Sequence, residues 1–296
     1  MDKTKDRFIG ALFGLIVGNA LGAPYKNLNV EKITDFSKGG IYGLNIGEWT
    51  DSASMALCLA ESLIEDGFDL DSQIKKYLKW IDDGYLSSKD KAFGIDNQTM
   101  DALIYYEKYT KFADITNIDS NKSLARLAPI PMFFKNSFKD AIYYSGQSSY
   151  TTHNNIYSIH SCKLLGGIIQ QAINGENKKF LMNEIHKKMD LVYDVRLRVV
   201  DIKYKSKEQI RSSSASLDSL EIALWAFYNT NNFKDAVLTA INFKGDTDTI
   251  GAIIGQLAGS YYGYSNLPKL WILKIAKKDL IMEIIENLYN ASISTE

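Results

Sequence analysis

The chain has 296 residues, 46% of them hydrophobic, which is ample for one large domain or two small ones. Its net charge of −1 excludes a global field that would draw it to nucleic acid or a membrane surface. Only two cysteines occur, Cys58 and Cys162, both in apolar helical patterns. They read as buried thiols, which excludes a disulfide framework and fits a reducing compartment, the cytoplasm.

Lys3, Lys5 and Arg7 precede an apolar run over 8–17, and Ala20-Leu-Gly-Ala23 follows. The outline imitates a signal peptide. Gly10, Gly14 and Gly18, however, fall every fourth residue on one helical face. Glycine weakens a helix interior by about 1 kcal/mol relative to alanine, so this face needs a packing reason. The reading is a core helix, from a run too short to span a bilayer. Gly251, Gly255 and Gly259 repeat the spacing near the C-terminus. The two helices are expected to cross backbone to backbone.

Residues 18–49 are loop-rich, and Asn19, Tyr25 and Lys26 are placed to line a site at the end of the first helix. A helix is predicted from Asp51 to about Asp66, with Met55, Leu59 and Leu63 on one face and Gly67 closing it. Asp71 opens the next, with Ile74, Leu78 and Ile81 inward, and 96–99 start another carrying Met100, Leu103 and Ile104. Residues 120–131 are polar and then limited by proline, and 133–138 read as helix. Tyr150-Thr-Thr-His153 reads as the cap of a helix with Ile156, Ile159, Leu164 and Ile168 inward. Residues 174–218 are the most charged stretch and read as surface helix and loop. Ser216 or Asp218 opens a helix through Phe227, 229–232 break it, and 233–241 lead on. Pro268 precedes a terminal helix with Trp271, Ile275 and Leu280 inward. There is no convincing period-two alternation, no glycine-rich loop after a strand and no linker. The expected fold is all-α, a single compact multi-helix domain over residues 1–296.

Two acidic helix starts stand out. Asp246, Asp248 and Thr249 gather hard oxygens at a turn, and Ile250, Ile253, Ile254 and Leu257 then recur at helical spacing. Asp248 or Thr249 fits the N-cap. Far upstream, Thr50 and Asp51 precede a second apolar helix. An ordinary capping turn accounts for either alone. Crowded oxygens on two helix starts call for a neutralising cation, and suit Mg²⁺, Mn²⁺ or Ca²⁺. Spacing in the sequence leaves open whether the two caps meet.

These residues resemble the ADP-ribosylglycohydrolase family over most of the chain. The blocks come in family order: Gly10-Ala-Leu-Phe-Gly14 with Ala20-Leu-Gly-Ala-Pro24, Trp49-Thr-Asp51 with Met55-Ala-Leu57, Ser123 with Arg126 and Pro129, Thr152-His153, Ala223-Leu-Trp-Ala-Phe227, and Gly245-Asp-Thr-Asp-Thr-Ile-Gly251. The resemblance implies an all-helical fold with one or two Mg²⁺ or Mn²⁺ ions. It implies cleavage of the glycosidic bond at the anomeric carbon of ADP-ribose, on a modified protein or a small ADP-ribosyl compound. Thr50, Asp51, Asp246, Asp248 and Thr249 match metal ligands. Asp51 or Asp248 would orient the water. Asn19, Lys26, Asn121, Lys122, Ser123, His153 and Gly245 fall at substrate-side positions.

The chain departs from the family pattern at the site itself. The usual Thr-Asp-Asp-Thr reads Thr50-Asp51-Ser52-Ala53, so one carboxylate ligand is a hydroxyl. The usual Asp of the first loop is Asn19, and its Glu falls on Lys26. The usual Asn-Gly-Ser reads Asn121-Lys122-Ser123, and the first Gly of the C-terminal signature is Lys244. Each lysine alone reads as a solvated charge. Together they allow an ammonium to replace part of a missing ion's charge, or bulk at Lys122 to block the phosphate loop. Two readings follow: a metal-dependent glycohydrolase, or an inactive relative that binds ADP-ribose, a nucleotide or a protein partner.

Overall fold

A helix that is apolar on every side must be buried, in a protein core or in a membrane. The computed structural model, which describes residues 2–114 and 118–293, puts two such helices at its centre. Among the described residues there are fifteen α-helices: α1 Lys3–Gly22, α2 Asp51–Asp66, α3 Leu70–Asp83, α4 Asn97–Tyr109, α5 Lys122–Ala125, α6 Pro129–Phe133, α7 Phe138–Ser149, α8 Ile156–Ile173, α9 Lys178–Asn183, α10 Tyr193–Asp201, α11 Ser216–Tyr228, α12 Phe233–Ile241, α13 Thr247–Tyr262, α14 Lys269–Lys274 and α15 Lys278–Ile293. Among the described residues an isolated bridge between Gly39 and Leu44 is the nearest thing to a strand. The fold is all-α.

Every residue of α1 from Phe8 onward is buried, as is α13 through Ser260. The two lie antiparallel with their glycine faces together. A Cβ on Gly10 would come 2.3 Å from the Gly259 carbonyl oxygen, one on Gly14 2.5 Å from that of Gly255, and one on Gly18 2.0 Å from that of Gly251. The expected backbone crossing is present. α1 with the turn after it is, contrary to the sequence reading, apolar and long enough to cross a membrane, but 94% of its apolar 18-residue stretch is buried within the protein, as a core helix would be. The antiparallel arrangement carries the end of α1 to the start of α13. Helices α2, α5, α8, α11, α12 and α15 pack around this pair. Cys58 and Cys162 are both free and buried.

Several boundaries differ from the sequence reading, each for a local reason. Asp246, and not Asp248 or Thr249, is the N-cap position of α13, because Gly245 turns the chain at φ +75°. α3 begins at Leu70, where the Asp69 carboxylate accepts from Ser72 N–H at 2.6 Å. α8 is capped by Asn155, and 150–153 form the turn that leaves α7. Residues 134–137 are a turn, because Ser137 caps α7. The predicted terminal helix is two helices, parted by an extended Ile275 and by Lys277 at φ +46°. Ile104 is exposed, and Tyr106 is buried on the inward face of α4 with Leu103. The charged stretch 174–218 is also more than surface, since Leu181, Ile185, Val195, Val199 and Ile202 are buried in the core.

Candidate functional site

Because α1 runs antiparallel to α13, its last turn delivers Asn19 to the acidic start of α13. Asn19 is fully buried and ties both caps together. Its Oδ1 accepts from Thr50 N–H at 2.8 Å, and its Nδ2 donates to Thr50 Oγ1 at 2.9 Å and to the Asp248 carbonyl at 3.2 Å. Thr50 Oγ1 in turn donates to Asp248 Oδ2 at 2.9 Å. The two helix starts, nearly two hundred residues apart in sequence, therefore meet.

Two ammonium groups sit among their carboxylates. Lys26, just past the 3₁₀ turn Ala23–Tyr25, places Nζ against Asp246 Oδ1 and 2.7 Å from Asp248 Oδ1. Lys122, the first residue of α5, places Nζ 2.7 Å from Asp51 Oδ2 and 3.1 Å from Thr249 Oγ1. Asn121 Nδ2 donates to the remaining Asp246 oxygen and to Ser219 Oγ, both at 2.9 Å. Asp51 Oδ1 and Ser52 Oγ are buried and have no partner among the described residues.

Burial and charge oppose each other here. Burial works against the charged form of Lys122, yet Asp51, then Asp246 and Asp248, hold its ammonium well above the usual lysine value. Lys26 is likewise raised: burial opposes, Asp248 outweighs it with help from Asp246, and Lys122 repels. Burial pushes the Asp51 carboxyl up, while the Lys122 ammonium pulls it back. Asp246 is held below the carboxylate range: burial opposes this, and Lys122 and Lys26 more than offset it.

Above this layer opens a cleft of ≈ 440 Å³. Of the residues singled out in the sequence, Lys26, Asn121, Lys122 and Asp246 line it. Asn19, Thr50, Asp51, Asp248 and Thr249 lie buried beside them. Gly245 forms the turn under Lys26, its carbonyl accepting from Asn27 N–H at 2.9 Å. Lys244 next to it holds φ +67°, a left-handed conformation that a glycine adopts without strain. Ser123 and His153 are not on the cleft wall. Ser123 Oγ accepts from Ser149 Oγ at 2.8 Å, in the packing between α5 and α7. His153 is fully buried, with Nδ1 2.7 Å from Thr152 Oγ1.

Sequence reasoning missed the rest of the wall, including Tyr42, Gly94, Asp96, Asp119 and Ser214. Gly94 carried a usable signal. It precedes the Asp96 cap at φ +83°, and a Cβ there would lie 3.1 Å from Asp51 Oδ1. Glycine thus lets this loop rest on the acidic layer.

Burial pushes the His153 imidazole down to about 3; Asp96 opposes this, and Arg126 and Lys122 add to it. The unfolded chain would bind that proton near the ordinary value of 6.5, so between there and 3 it holds more protons than the folded state. The contribution of His153 is complete above 6.5 and is lost as pH falls, by about 1.4 kcal/mol per pH unit at most. His153→Gln is expected to flatten the acid limb in denaturant titrations across this window. Parallel acid limbs for the two proteins would refute it.

The sequence pattern of ADP-ribosylglycohydrolases matches residues 1–296. The chain belongs to the ADP-ribosylglycohydrolase family. It is 37% identical to the ADP-ribosylarginine hydrolase Tri1 of Serratia proteamaculans, over 98% of this chain and 79% of that protein. It is 26% identical to the ADP-ribosyl-[dinitrogen reductase] glycohydrolase of Rhodospirillum rubrum, over 92% of this chain and 91% of that one. A solved structure described as an ADP-ribosylglycohydrolase-related protein complex superimposes with a TM-score of 0.88 at 30% identity, over 99% of this chain and 100% of that one. The family and these relatives are glycohydrolases.

The Mg²⁺ or Mn²⁺ ions that the resemblance implies would need the oxygens of Thr50, Asp51, Asp246, Asp248 and Thr249 open toward a common space. They are not open. Both oxygens of Asp246, both of Asp248 and one of Asp51 are engaged by Lys26, Lys122, Asn121 or Thr50. Among the described residues no group of three or more His, Cys, Asp or Glu is arranged to hold a metal ion. A divalent ion added to two ammonium groups would set four positive charges against three carboxylates in a buried space. The residues as placed do not fit a divalent pair.

Proposed function

We propose that the cleft receives an ADP-ribosyl group carried by a modified side chain, arginine first, and that the chain recognises it without metal-activated hydrolysis. The engagement of the acidic layer by Lys26 and Lys122 carries this reading. A metal-polarised water needs an open coordination position, and the donor set leaves none for it. Recognition asks for less. A cleft of ≈ 440 Å³ with an aromatic wall at Tyr42 and a few convergent polar groups has the size and character of a small-ligand site. An ammonium has three N–H donors, and Lys26 spends two on carboxylates, which leaves one for a ligand oxygen. Arginine is the modified side chain named for the Serratia relative, and a free ADP-ribosyl compound would meet the same groups.

A second reading, slow hydrolysis, is favoured by Asp51 Oδ1. It is buried, without a partner and close to Gly94 on the cleft wall, which supports a role in orienting a water toward an anomeric carbon. Calorimetric titration with ADP-ribose in the presence of a chelator tests the first reading. Saturable binding is expected, and the absence of binding with or without Mg²⁺ would end it. Incubation with ADP-ribosylarginine separates the two. Release of ADP-ribose that disappears in Asp51→Asn supports hydrolysis, and no release beside intact binding supports recognition alone.

A further inference from the structure

We propose that Lys26 and Lys122 are the resident cations of this site, so that the protein folds and keeps its cleft with no divalent metal bound. Each ammonium occupies a position that two oxygen ligands define. Lys26 Nζ lies between Asp246 and Asp248, and Lys122 Nζ lies between Asp51 and Thr249. The four-carbon stems come from different elements and converge on one acidic layer, with side chains only 11% and 8% exposed. Neither is a surface charge.

The neutral groups are turned to the same end. Asn19 Nδ2 donates to Thr50 Oγ1, and so fills a lone pair that a cation would need. The Thr50 hydroxyl gives its proton to Asp248. Asn121 Nδ2 takes the Asp246 oxygen that Lys26 leaves. Of the six oxygens on Asp51, Asp246 and Asp248, only Asp51 Oδ1 is left without a partner among the described residues. Hard divalent ions take about six or more oxygens, so one open carboxylate oxygen and one open hydroxyl, that of Ser52, do not make a site. A tethered ammonium also cannot be removed by a chelator. Asn19, Lys26, Asn121 and Lys122 thus act as one device that closes the cation position.

The inference rests on the ion pairs and not on the identity of the ligand, so it is tested with Mn²⁺ alone. Free Mn²⁺ is measured by electron paramagnetic resonance during titration of the full chain, and thermal unfolding is followed in chelator and in excess Mg²⁺. Wild type is expected to take up no Mn²⁺ and to unfold within about 1 °C in the two buffers. Lys26→Gln, and separately Lys122→Met with Ser52→Asp, are expected to deplete free Mn²⁺ at concentrations where wild type does not, because each removes a competing positive charge. Stoichiometric Mn²⁺ on wild type, with a melting point that falls on chelation, would overturn the proposal. So would a folded Lys26→Gln that gains no Mn²⁺. If the Lys122 variant does not fold, Lys26→Gln decides alone. Loss of ADP-ribose binding would leave these readouts unchanged, so the two proposals fail separately.

Discussion

Gly18→Ala is expected to destabilise the protein by more than about 4 kcal/mol, or to prevent its soluble accumulation. The added Cβ would lie 2.0 Å from the Gly251 carbonyl oxygen and 2.7 Å from its carbonyl carbon. These are helix backbone atoms, which no rotamer change can move aside. Alanine would favour the helix by about 1 kcal/mol over glycine, and the clash exceeds that gain. Relief requires α1 to part from α13, yet Gly10 and Gly14 hold the rest of that face at the same close approach. Asn19 is the next residue, so the strain also reaches the hydrogen bonds that tie Thr50 to Asp248. Urea unfolding followed by circular dichroism measures the loss. A change of less than about 1 kcal/mol would mean that the helices do not touch as described.

Lys122→Met is the second large effect. The substitution keeps most of the stem's volume and removes the charge. Asp51, 2% exposed, would then keep a carboxylate with neither oxygen paired. Breaking one partner from a buried ion pair costs roughly 3–5 kcal/mol, mostly from the charge left behind. The double variant Asp51→Asn with Lys122→Met removes both charges and is expected to recover a large part of the loss. A double-mutant cycle in urea should show a coupling of about 1–3 kcal/mol, and additive losses would mean that the two side chains do not pair. Stability and catalysis pull apart at this position. The ammonium that neutralises the acidic layer also occupies an oxygen that a metal-dependent glycohydrolase would keep open.

How much of this was legible in the chain depends on what each residue's position is tied to. The glycine registers on α1 and α13 were readable because helical geometry alone puts every fourth residue on one face, and a bare face inside an apolar helix has few other uses. The Thr50–Asp51 and Asp246–Thr249 helix starts were readable because polar oxygens before an apolar run mark a helix start, although neither the Thr50 nor the Asp246 side chain makes the capping hydrogen bond. Cap positions slipped by one to three residues: at α13 the deciding turn lay in the backbone angle of Gly245, and at α3 and α8 a neighbouring side chain, Asp69 or Asn155, took the cap. Ser123 and His153 were drawn to the site by motif, and packing between helices set them behind the wall instead.

The sequence by itself determined the helical class, the close central crossing and the two acidic helix starts, because each follows from contacts within a few residues or from a repeat along one face. It also showed lysines where the family pattern has glycine or glutamate. Only the tertiary structure decided that two of them, Lys26 and Lys122, point inward and hold the carboxylates. A lysine head sits at the end of four rotatable bonds, several ångströms from its backbone, so its neighbours are chosen by where distant helices bring their charges and not by anything adjacent in the chain.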